Sequence, residues 1–576
     1  MARRKQAASP TPAVRTAPER PPAARTLLHP WVIALLLAAA FLAYVPALDG
    51  PFLFDDLSLE ALLQSPPSWK FLAARIARSV TNLSLLAEAR LAGLNPKSFH
   101  FTNILFHLIN GLLVWKVLET LLARRGPQQP ADRLAALAGA GLFLLHPLQT
   151  EAVAYISSRS EVLCAFFAYA AFLLFLRGGE MTFPRALAIT ALLALGALSK
   201  EPAVALAGVF LLFDLLLEDP PGFRAVRRRW KLYLPLLAAA SVVGVKLYLI
   251  LSREGSAGAT GKNRPLDYLL TQFEVIWQYF RLLLLPAGQN LDHAWPVVKP
   301  PGGAGVWIGA AALACLLALL WRYRKRYPLA LFGMLFLLVL LAPTSSIVPI
   351  DDAMAERRLY LGSPGVAMIA ADFLRRLRPS MAVSAAVATA LLVLAGLTWQ
   401  RAGLYTAAVP MWEDSVAANP RNSRAWFHLA YAYYEQGRCA DAAQAYEKAA
   451  ATAAAPDYQL LVNWATALEC AGRLNEAIDK LNEAGRLERR AEGLAILGRV
   501  YAKQGRLDRA LETLNEALRI NPSEENALVF RGNVYLLRNQ PAEALADYEQ
   551  ALRLQPSDTA ALKGRQSALR ALGRSL

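Results

Sequence analysis

Paired carboxylates and paired cations stand at the ends of long apolar segments in this sequence. Asp55 and Asp56 follow the first apolar segment, and Arg357 and Arg358 follow a later one. Adjacent carboxylates can take a proton from a hydroxyl group or hold a divalent metal ion, and guanidinium groups can stabilise a departing phosphate. An Asp-Asp pair is also typical of a solvated turn, so both interpretations remain open from these residues alone.

The segment 146–167 concentrates charged residues between two apolar runs. It contains Glu151, Arg159 and Glu161, and each such charge would cost about 2.5–3.5 kcal/mol at the centre of a bilayer. We therefore expect this segment to lie at a membrane interface or to line a wet cavity. As one continuous helix it would place Glu151, Tyr155 and Arg159 on one sector. The alternative is that these charges only join two helix ends.

The composition predicts an integral membrane protein. Of the 576 residues, 55% are hydrophobic, which is too apolar for a soluble chain of this length. The net charge of +17 lies in Lys and Arg clusters between apolar segments, so the positive-inside rule accounts for it and no nucleic acid is expected as a partner. About eleven spans are predicted. They lie near 31–48, 101–122, 134–146, 161–176, 186–199, 202–217, 231–251, 305–321, 329–345, 359–375 and 381–399.

Two kinds of loop alternate along this predicted bundle. Basic loops are expected in the cytoplasm together with the N-terminus, and loops that contain carboxylates are expected on the extracytoplasmic side. The apolar stretch 268–285 is predicted to be a re-entrant or interfacial helix, because a further span would reverse the later loops. The carboxylate-bearing loops are 54–56, 146–151, 199–201, 290–293 and 351–358.

A repeat fills the C-terminal part of the chain. The turn positions 437, 472, 505 and 539 are 35, 33 and 34 residues apart, and small and aromatic residues recur around them. This period is typical of tetratricopeptide repeats, each of which folds as two packed helices. We therefore predict an all-α protein with a polytopic transmembrane bundle and an α-solenoid. Its parts are a disordered basic tail at 1–28, a membrane domain at 29–400, and a repeat domain at 401–576 with about four repeats, a leading half-repeat and a capping helix.

Two cysteines lie at the turns of neighbouring repeats. Cys439 begins the second helix of one predicted repeat, and Cys470 ends the first helix of the next. An odd number of spans puts the repeats outside the cytoplasm, where a disulfide can persist. The alternative is that two small buried residues never meet, because repeat stacking can hold their Cα atoms more than about 7 Å apart.

Several ordered motifs resemble those of a known family. They are F-D-D at 54–56, H-P-L-Q-T-E-A-V-A-Y-I-S-S-R-S-E-V-L at 146–163, L-S-K-E-P at 198–202, N-L-D-H at 290–293 and A-E-R-R-L-Y-L-G-S-P-G at 355–365. They resemble the transmembrane and tetratricopeptide-repeat (TMTC-like) O-mannosyltransferases, which are glycosyltransferases of the C superfamily. The resemblance extends from about residue 31 to 576, and the Ala, Leu and Arg bias suits a bacterial member.

The resemblance implies transfer of a mannose-like sugar from a polyprenyl-phosphate or dolichyl-phosphate donor to an acceptor hydroxyl, such as a protein Ser or Thr. Asp55 or Asp56 would be the catalytic carboxylate, and the same pair would hold a divalent metal if one is used. No cofactor is firmly implied. The candidates for binding the lipid phosphate are Arg159, Lys200, Arg357 and Arg358. The supporting residues are Arg78, His146, Glu151, Glu161, Glu201, Asp292, His293 and Glu356. Relatives commonly carry Arg-Pro where Arg78 is followed by Ser79 here.

The expected partners are the membrane, the lipid-linked sugar, and an acceptor or partner protein held by the repeats. The expected location is a bacterial inner membrane, or the endoplasmic reticulum membrane in a eukaryote. There is no G-x-x-x-x-G-K-[ST] motif, so a nucleotide donor gains no support. Two alternatives from other classes are a non-catalytic scaffold that recruits envelope proteins and a lipid-linked saccharide transporter. The transporter would need unpaired charges deep within spans.

Overall fold

The computed structural model describes residues 30–64, 78–124, 129–239, 241, 264–346 and 348–573. All regular elements within these ranges are helices, which confirms the all-α prediction. The predicted tail at 1–28 and most of the predicted span at 231–251 lie outside the described residues.

The N-terminal part consists of apolar helices joined by short polar segments. Proline at the first turn starts many of them, because its fixed φ suits that turn and its missing N–H has no partner there. In chain order the helices are α1 Pro30–Tyr44, α2 Asp55–Gln64, α3 Ser79–Ala92, α4 Pro96–Ala123, α5 Pro130–Leu145, α6 Thr150–Ala154, α7 Arg159–Leu176, α8 Phe183–Ser199, α9 Leu206–Leu216, α10 Phe223–Arg228, α11 Pro265–Leu284, α12 Ala304–Arg322, α13 Pro328–Leu341, α14 Pro364–Leu374 and α15 Met381–Gly403.

The helices differ in their length relative to a bilayer. Five helical segments in the described ranges are long and apolar enough to cross a membrane, from Trp31–Asp49 to Met381–Thr406. Phe183–Ser199, Pro328–Leu341 and Pro364–Leu374 are apolar but shorter than the roughly 20 residues of a full crossing. Several predicted spans thus coincide with helices, and the count of about eleven stays a prediction.

Small residues and aromatic rings set the packing of the bundle. Helices α13 and α14 cross at Gly333 and Gly365, where a methyl group on either residue would overlap the carbonyl oxygen of the other. Such close approach is typical of helices in membranes, where dispersion contacts drive association. Nearby, Phe175 stacks on Phe210 with ring centroids 4.5 Å apart. These contacts fix the helices whose ends carry the charged loops.

Helix α11 lies across one end of the bundle. Near its start the Tyr268 hydroxyl donates to the Thr344 carbonyl at 2.6 Å, and near its end the Leu283 carbonyl oxygen lies 3.1 Å from His146 Nε2. Thr344 and His146 both belong to polar segments on the same side of the bundle. Both ends of α11 therefore contact this layer, and its re-entrant or interfacial placement in a membrane stays a prediction.

The C-terminal part is a stack of helical pairs. It begins with the single helix α16, Ala408–Ala418, which corresponds to the predicted half-repeat. The turn positions Gly437, Gly472 and Gly505 have φ of 71°, 77° and 76°, and Asn539 has 59°, a region that favours Gly and Asn. The remaining helices are α17 Ser423–Glu435, α18 Cys439–Thr452, α19 Tyr458–Cys470, α20 Leu474–Leu487, α21 Ala491–Lys503, α22 Leu507–Ile520, α23 Glu525–Leu537, α24 Pro541–Leu554 and the capping helix α25 Thr559–Ala571. The boundary between the two parts near residue 400 stays a prediction, since α15 continues directly into the segment before α16.

A disulfide joins Cys439 and Cys470, whose Cα atoms are 5.6 Å apart. It links the start of α18 to the end of α19, so it ties the first two repeats together. Of the two alternatives that the sequence left open, the structure therefore shows the bonded one. Cys164 and Cys315 are free.

Replacing Cys439 by Ser is expected to lower the stability of the repeat domain by about 2–4 kcal/mol, because the bond closes a loop in the unfolded chain. Its two cysteines are 31 residues apart. The measurement is thermal unfolding of the full chain with and without dithiothreitol, and Cys315→Ser is the control. An unfolding midpoint that neither the reductant nor the Cys439 substitution changes would contradict the expectation.

Candidate active site

A polar cavity of about 250 Å³ lies where the charged loops meet. Its wall combines carboxylates, cations and hydroxyl groups from loops that are far apart in the sequence. The residues that line it are Asp55, Arg78, Tyr155, Ser157, Ser158, Ser160, Lys200, Glu201, Thr344, Ile350, Arg357 and Arg358. Six residues singled out from the sequence, namely Asp55, Arg78, Lys200, Glu201, Arg357 and Arg358, therefore share one cavity.

The two adjacent aspartates at the start of α2 have different surroundings. Asp55 is exposed and lines the cavity, and its backbone N–H donates to the Tyr155 hydroxyl at 2.8 Å. Asp56 is buried, and its carboxylate accepts the Ser157 backbone N–H at 2.7 Å, the Ser157 hydroxyl, and the Leu53 N–H at 3.2 Å. Burial raises the pKa of Asp56 to about 7, although the hydrogen bonds from Ser157 and Leu53 oppose this. Asp55 is thus the carboxylate that a substrate can reach, and Asp56 fixes the loop.

Two cations of the cavity are paired with buried carboxylates behind them. Lys200 forms an ion pair with Glu161, and Arg357 forms one with Glu151. The Glu151 carboxylate also accepts the Arg357 backbone N–H at 2.9 Å. Glu151 and Glu161 therefore hold the two cations in place and do not line the cavity themselves.

Arg358 is held by neutral oxygen atoms. Its guanidinium donates to the carbonyl of Asp352 at 2.6 Å, to the carbonyl of Ala353 at 3.3 Å and to the Tyr268 hydroxyl at 3.2 Å. These bonds orient the guanidinium without cancelling its charge. Arg358 and the exposed Arg78 thus add positive charge to the same wall, which suits an anionic group.

The structure corrects the expectation for Arg159. Its guanidinium is fully buried and does not line the cavity. It forms an ion pair with Glu88, donates to the Phe99 carbonyl at 2.9 Å, and donates through Nε to Asn103 Oδ1 at 2.8 Å. The Asn103 amide in turn donates to the Tyr155 carbonyl at 3.3 Å. Arg159 therefore supports the turn at Tyr155 from inside the bundle, which is the alternative in which charges join helix ends.

The segment 146–159 does not form the continuous helix considered above. Helix α6 ends at Ala154, Tyr155 is extended with φ −90° and ψ 118°, and a 3-10 turn spans Ile156–Ser158. This break turns Tyr155 and the following serines toward the cavity. No signal in the sequence predicts that Ser157 and Ser160 line the cavity, because the direction of each side chain depends on where the helix breaks.

A second polar cluster contains the remaining candidates. Buried Glu356 accepts from the Gln289 amide at 2.9 Å and from the Asn290 N–H at 2.6 Å, and lies 2.9 Å from His293 Nε2. Burial raises the pKa of Glu356, but the hydrogen bonds from His293 and Gln289 and the nearby positive charge of Arg401 together leave that pKa below its usual value. Nearby, His146 Nε2 lies 3.1 Å from the Leu283 carbonyl, and Asp292 pairs with Arg424 of the repeats. These residues join loops to one another and do not line the cavity.

A metal held by both vicinal aspartates does not fit this geometry. The oxygens of Asp56 are occupied by hydrogen bonds from Ser157 and Leu53, whereas Asp55 faces the cavity. Within the described ranges, no group of three or more His, Cys, Asp and Glu side chains is placed to hold a metal ion. The cavity instead offers the accessible carboxylates of Asp55 and Glu201 among the cations of its wall.

Both parts of the chain resemble known proteins. Residues 393–458, 498–537 and 526–558 match tetratricopeptide repeat families. The protein O-mannosyl-transferase F38B6.6 of Caenorhabditis elegans is 23% identical over 461 residues, which cover 72% of this chain and 61% of that protein. Human protein O-mannosyl-transferase TMTC1 is 25% identical over 487 residues, which cover 72% of this chain and 54% of that protein.

The homologues of this chain are protein O-mannosyl-transferases of the TMTC family. Their names support a glycosyltransferase role, and the long apolar helices together with this homology indicate a membrane protein. The chain spans 54–61% of the length of these two relatives.

Two solved structures each match less than one third of the chain. The crystal structure of MamA is 23% identical, with a TM-score of 0.24, and the match covers 26% of this chain and 86% of that chain. The crystal structure of YrrB, described as a TPR protein with an unusual peptide-binding site, is 20% identical with a TM-score of 0.24, and covers 31% of this chain and 89% of that chain. Scores this low carry no argument about function.

Proposed function

We propose that this chain transfers a mannose-like sugar from a polyprenyl-phosphate or dolichyl-phosphate donor to an acceptor hydroxyl, such as that of a protein Ser or Thr. The observation that carries the proposal is the cavity that places Asp55 among Arg78, Lys200, Arg357 and Arg358. A carboxylate that accepts a proton and cations that stabilise a departing phosphate are the two requirements of this reaction. The names of the relatives supply the sugar.

In the proposed step, the Asp55 carboxylate accepts the proton of the acceptor hydroxyl. The acceptor oxygen then forms a bond to the anomeric carbon of the sugar, and the bond between that carbon and the phosphate oxygen breaks. The bonding electrons leave with the phosphate, which gains one negative charge. Arg358 and its neighbouring cations stabilise this charge, since fixed cations need no rearrangement as the charge develops.

We place the cavity and the repeats on the extracytoplasmic side, in a bacterial inner membrane or in the endoplasmic reticulum membrane of a eukaryote. Two observations support this side. Basic clusters lie in the loops at the other end of the bundle, where the positive-inside rule puts the cytoplasm. The Cys439–Cys470 disulfide suits an oxidising compartment. The repeats would then hold an acceptor or partner protein on the side where transfer takes place.

Arg358→Lys is expected to raise the apparent KM for the lipid donor about tenfold and to change kcat less, because a lysine cannot reproduce the planar set of contacts that holds Arg358. The assay is transfer of labelled mannose from dolichyl-phosphate mannose to a Ser/Thr-containing peptide by the purified full chain in detergent. Arg90→Lys is the control, since Arg90 is an exposed arginine of α3 that does not line the cavity. If the donor KM is unchanged in Arg358→Lys, Arg358 does not bind the donor phosphate. If the wild type transfers mannose from neither the dolichyl-phosphate nor the polyprenyl-phosphate donor, the alternative of a non-catalytic scaffold is favoured.

A further inference from the structure

The first helix of the first full repeat contacts segments on both sides of the candidate active site. This helix, α17, carries Arg424 and His428 one turn apart, and both side chains reach segments of the membrane domain. One contact leads to the loop of Asp55 and the other to the segment of Arg358. Nothing in the sequence motifs pointed to α17, because its aromatic positions are those of any such repeat.

The contact with the Asp55 loop runs through Phe54. The Phe54 ring meets the Trp412 ring of α16 at 5.3 Å and the His428 ring at 4.8 Å, both edge to face. His428 also stacks on Trp412, with centroids 4.7 Å apart and an interplanar angle of 18°. Phe54 is thus held in a three-ring cluster in which the other two rings belong to the repeats. Rings in edge-to-face and offset-stacked arrangements attract each other in addition to the effect of burying their surface.

The backbone of Phe54 shows why this cluster matters. Its φ is 51°, in the left-handed region, which is unfavourable for a phenylalanine. Such a conformation persists only where the surroundings impose it. Asp55 follows at once, so the direction of its side chain depends on this backbone conformation. On the side of the loop away from the repeats, the Asp55 N–H donates to the Tyr155 hydroxyl and the Ser157 N–H donates to the Asp56 carboxylate. On the side toward the repeats, the ring cluster holds Phe54.

The contact with the Arg358 segment runs through Arg424. Its guanidinium binds both oxygens of Asp292, at 2.6 and 2.5 Å, and one oxygen of Asp352 at 2.6 Å. The carbonyl of the same Asp352 accepts from Arg358 at 2.6 Å. One arginine of the repeats therefore fixes the residue that orients a cavity cation. Loss of Arg424 would leave Asp292, which is largely buried, without this partner.

We propose that His428 and Arg424 of the first repeat are positioning residues of the glycosyl transfer, His428 through Phe54 for Asp55 and Arg424 through Asp352 for Arg358. This inference rests on the proposed function, and it gives the repeats a part in the chemistry besides holding a protein partner. The two residues are expected to affect different kinetic parameters. Disorder at Asp55 lowers kcat, whereas disorder at Arg358 weakens binding of the donor.

The test measures kcat and donor KM in the full chain for His428→Ala and Arg424→Gln. His428→Ala is expected to lower kcat about 10- to 100-fold with little change in donor KM, because small displacements of a catalytic group cost this much. Arg424→Gln is expected to raise the donor KM about tenfold. Phe530→Ala is the matched control, because Phe530 occupies the same position in α23 as His428 does in α17. His428→Phe, which keeps an aromatic ring, is expected to restore most of the lost kcat.

A second arm does not depend on activity. Hydrogen–deuterium exchange of the peptide covering residues 51–57 is expected to speed up in His428→Ala and to stay unchanged in Phe530→Ala. Phe54→Leu removes the ring from the other side and leaves the repeats intact, so it is expected to match His428→Ala, and the double variant should lose no more than either single one. Wild-type kcat together with wild-type exchange in His428→Ala and Phe54→Leu would overturn the inference. Inactivity of the wild type itself would overturn the proposed function, and the exchange arm would still report on the loop.

Discussion

Asp55→Asn is expected to lower the rate of sugar transfer about 10²–10⁴-fold, because it removes the one carboxylate of the Asp-Asp pair that faces the cavity. The amide has nearly the same shape but cannot accept the proton of the acceptor hydroxyl at neutral pH. The protein should fold normally, since Asp55 is exposed. The measurement is kcat for transfer from dolichyl-phosphate or polyprenyl-phosphate mannose, with folding checked by thermal unfolding.

Asp56→Asn is the matched control for this prediction. Its carboxylate is buried and accepts hydrogen bonds from Ser157 and Leu53, so the substitution should disturb the loop and cost no more than about tenfold in kcat. If Asp56→Asn abolishes transfer while Asp55→Asn keeps the wild-type rate, the two roles are reversed. Wild-type rates in both single variants and in the double variant would exclude a catalytic carboxylate at this loop.

Glu88→Gln is expected to lower the stability of the membrane domain by about 3–5 kcal/mol, because it leaves the Arg159 charge buried without its carboxylate. The Arg159 side chain has no exposed surface, and Glu88 is only 11% exposed. The measurement is the thermal unfolding of the full chain in detergent. Since Arg159 also holds Asn103, which donates to the Tyr155 carbonyl, the turn at the cavity should loosen as well.

Two further variants check the physical reason for this loss. Glu88→Gln combined with Arg159→Met should be less destabilised than Glu88→Gln alone, because no unpaired charge remains. Glu119→Gln breaks the exposed pair with Lys116 and should cost less than about 1 kcal/mol. Equal unfolding midpoints for Glu88→Gln and Glu119→Gln would show that the buried pair does not stabilise the domain.

The sequence determined the helical class, the repeats and the loops that carry the charges. These features depend on local physics: apolar runs form helices that bury their backbone in a membrane, and a period of 33 to 35 residues with glycine at the turns stacks helical pairs. Asn539 was placed at a turn by the period alone, and its positive φ agrees with that position. The alternation of basic loops and carboxylate-bearing loops also predicts that Asp55, Lys200, Arg357 and Arg358 share one side of the bundle.

Only the tertiary structure decided which of these charged side chains meet in one cavity. Asp55 and Asp56 are neighbours of the same type, yet the break at Tyr155 brings Ser157 against Asp56, whereas Asp55 lines the cavity. Arg159 and Arg358 were likewise both predicted from the sequence to bind the lipid phosphate. Arg159 instead pairs with Glu88, which is 71 residues away in the sequence, whereas Arg358 is bound by carbonyl oxygens at the cavity. The contact of His428 with Phe54 spans two predicted domains. Burial and charge pairing depend on contacts between segments far apart in the chain, and such contacts leave no periodic signal in the sequence.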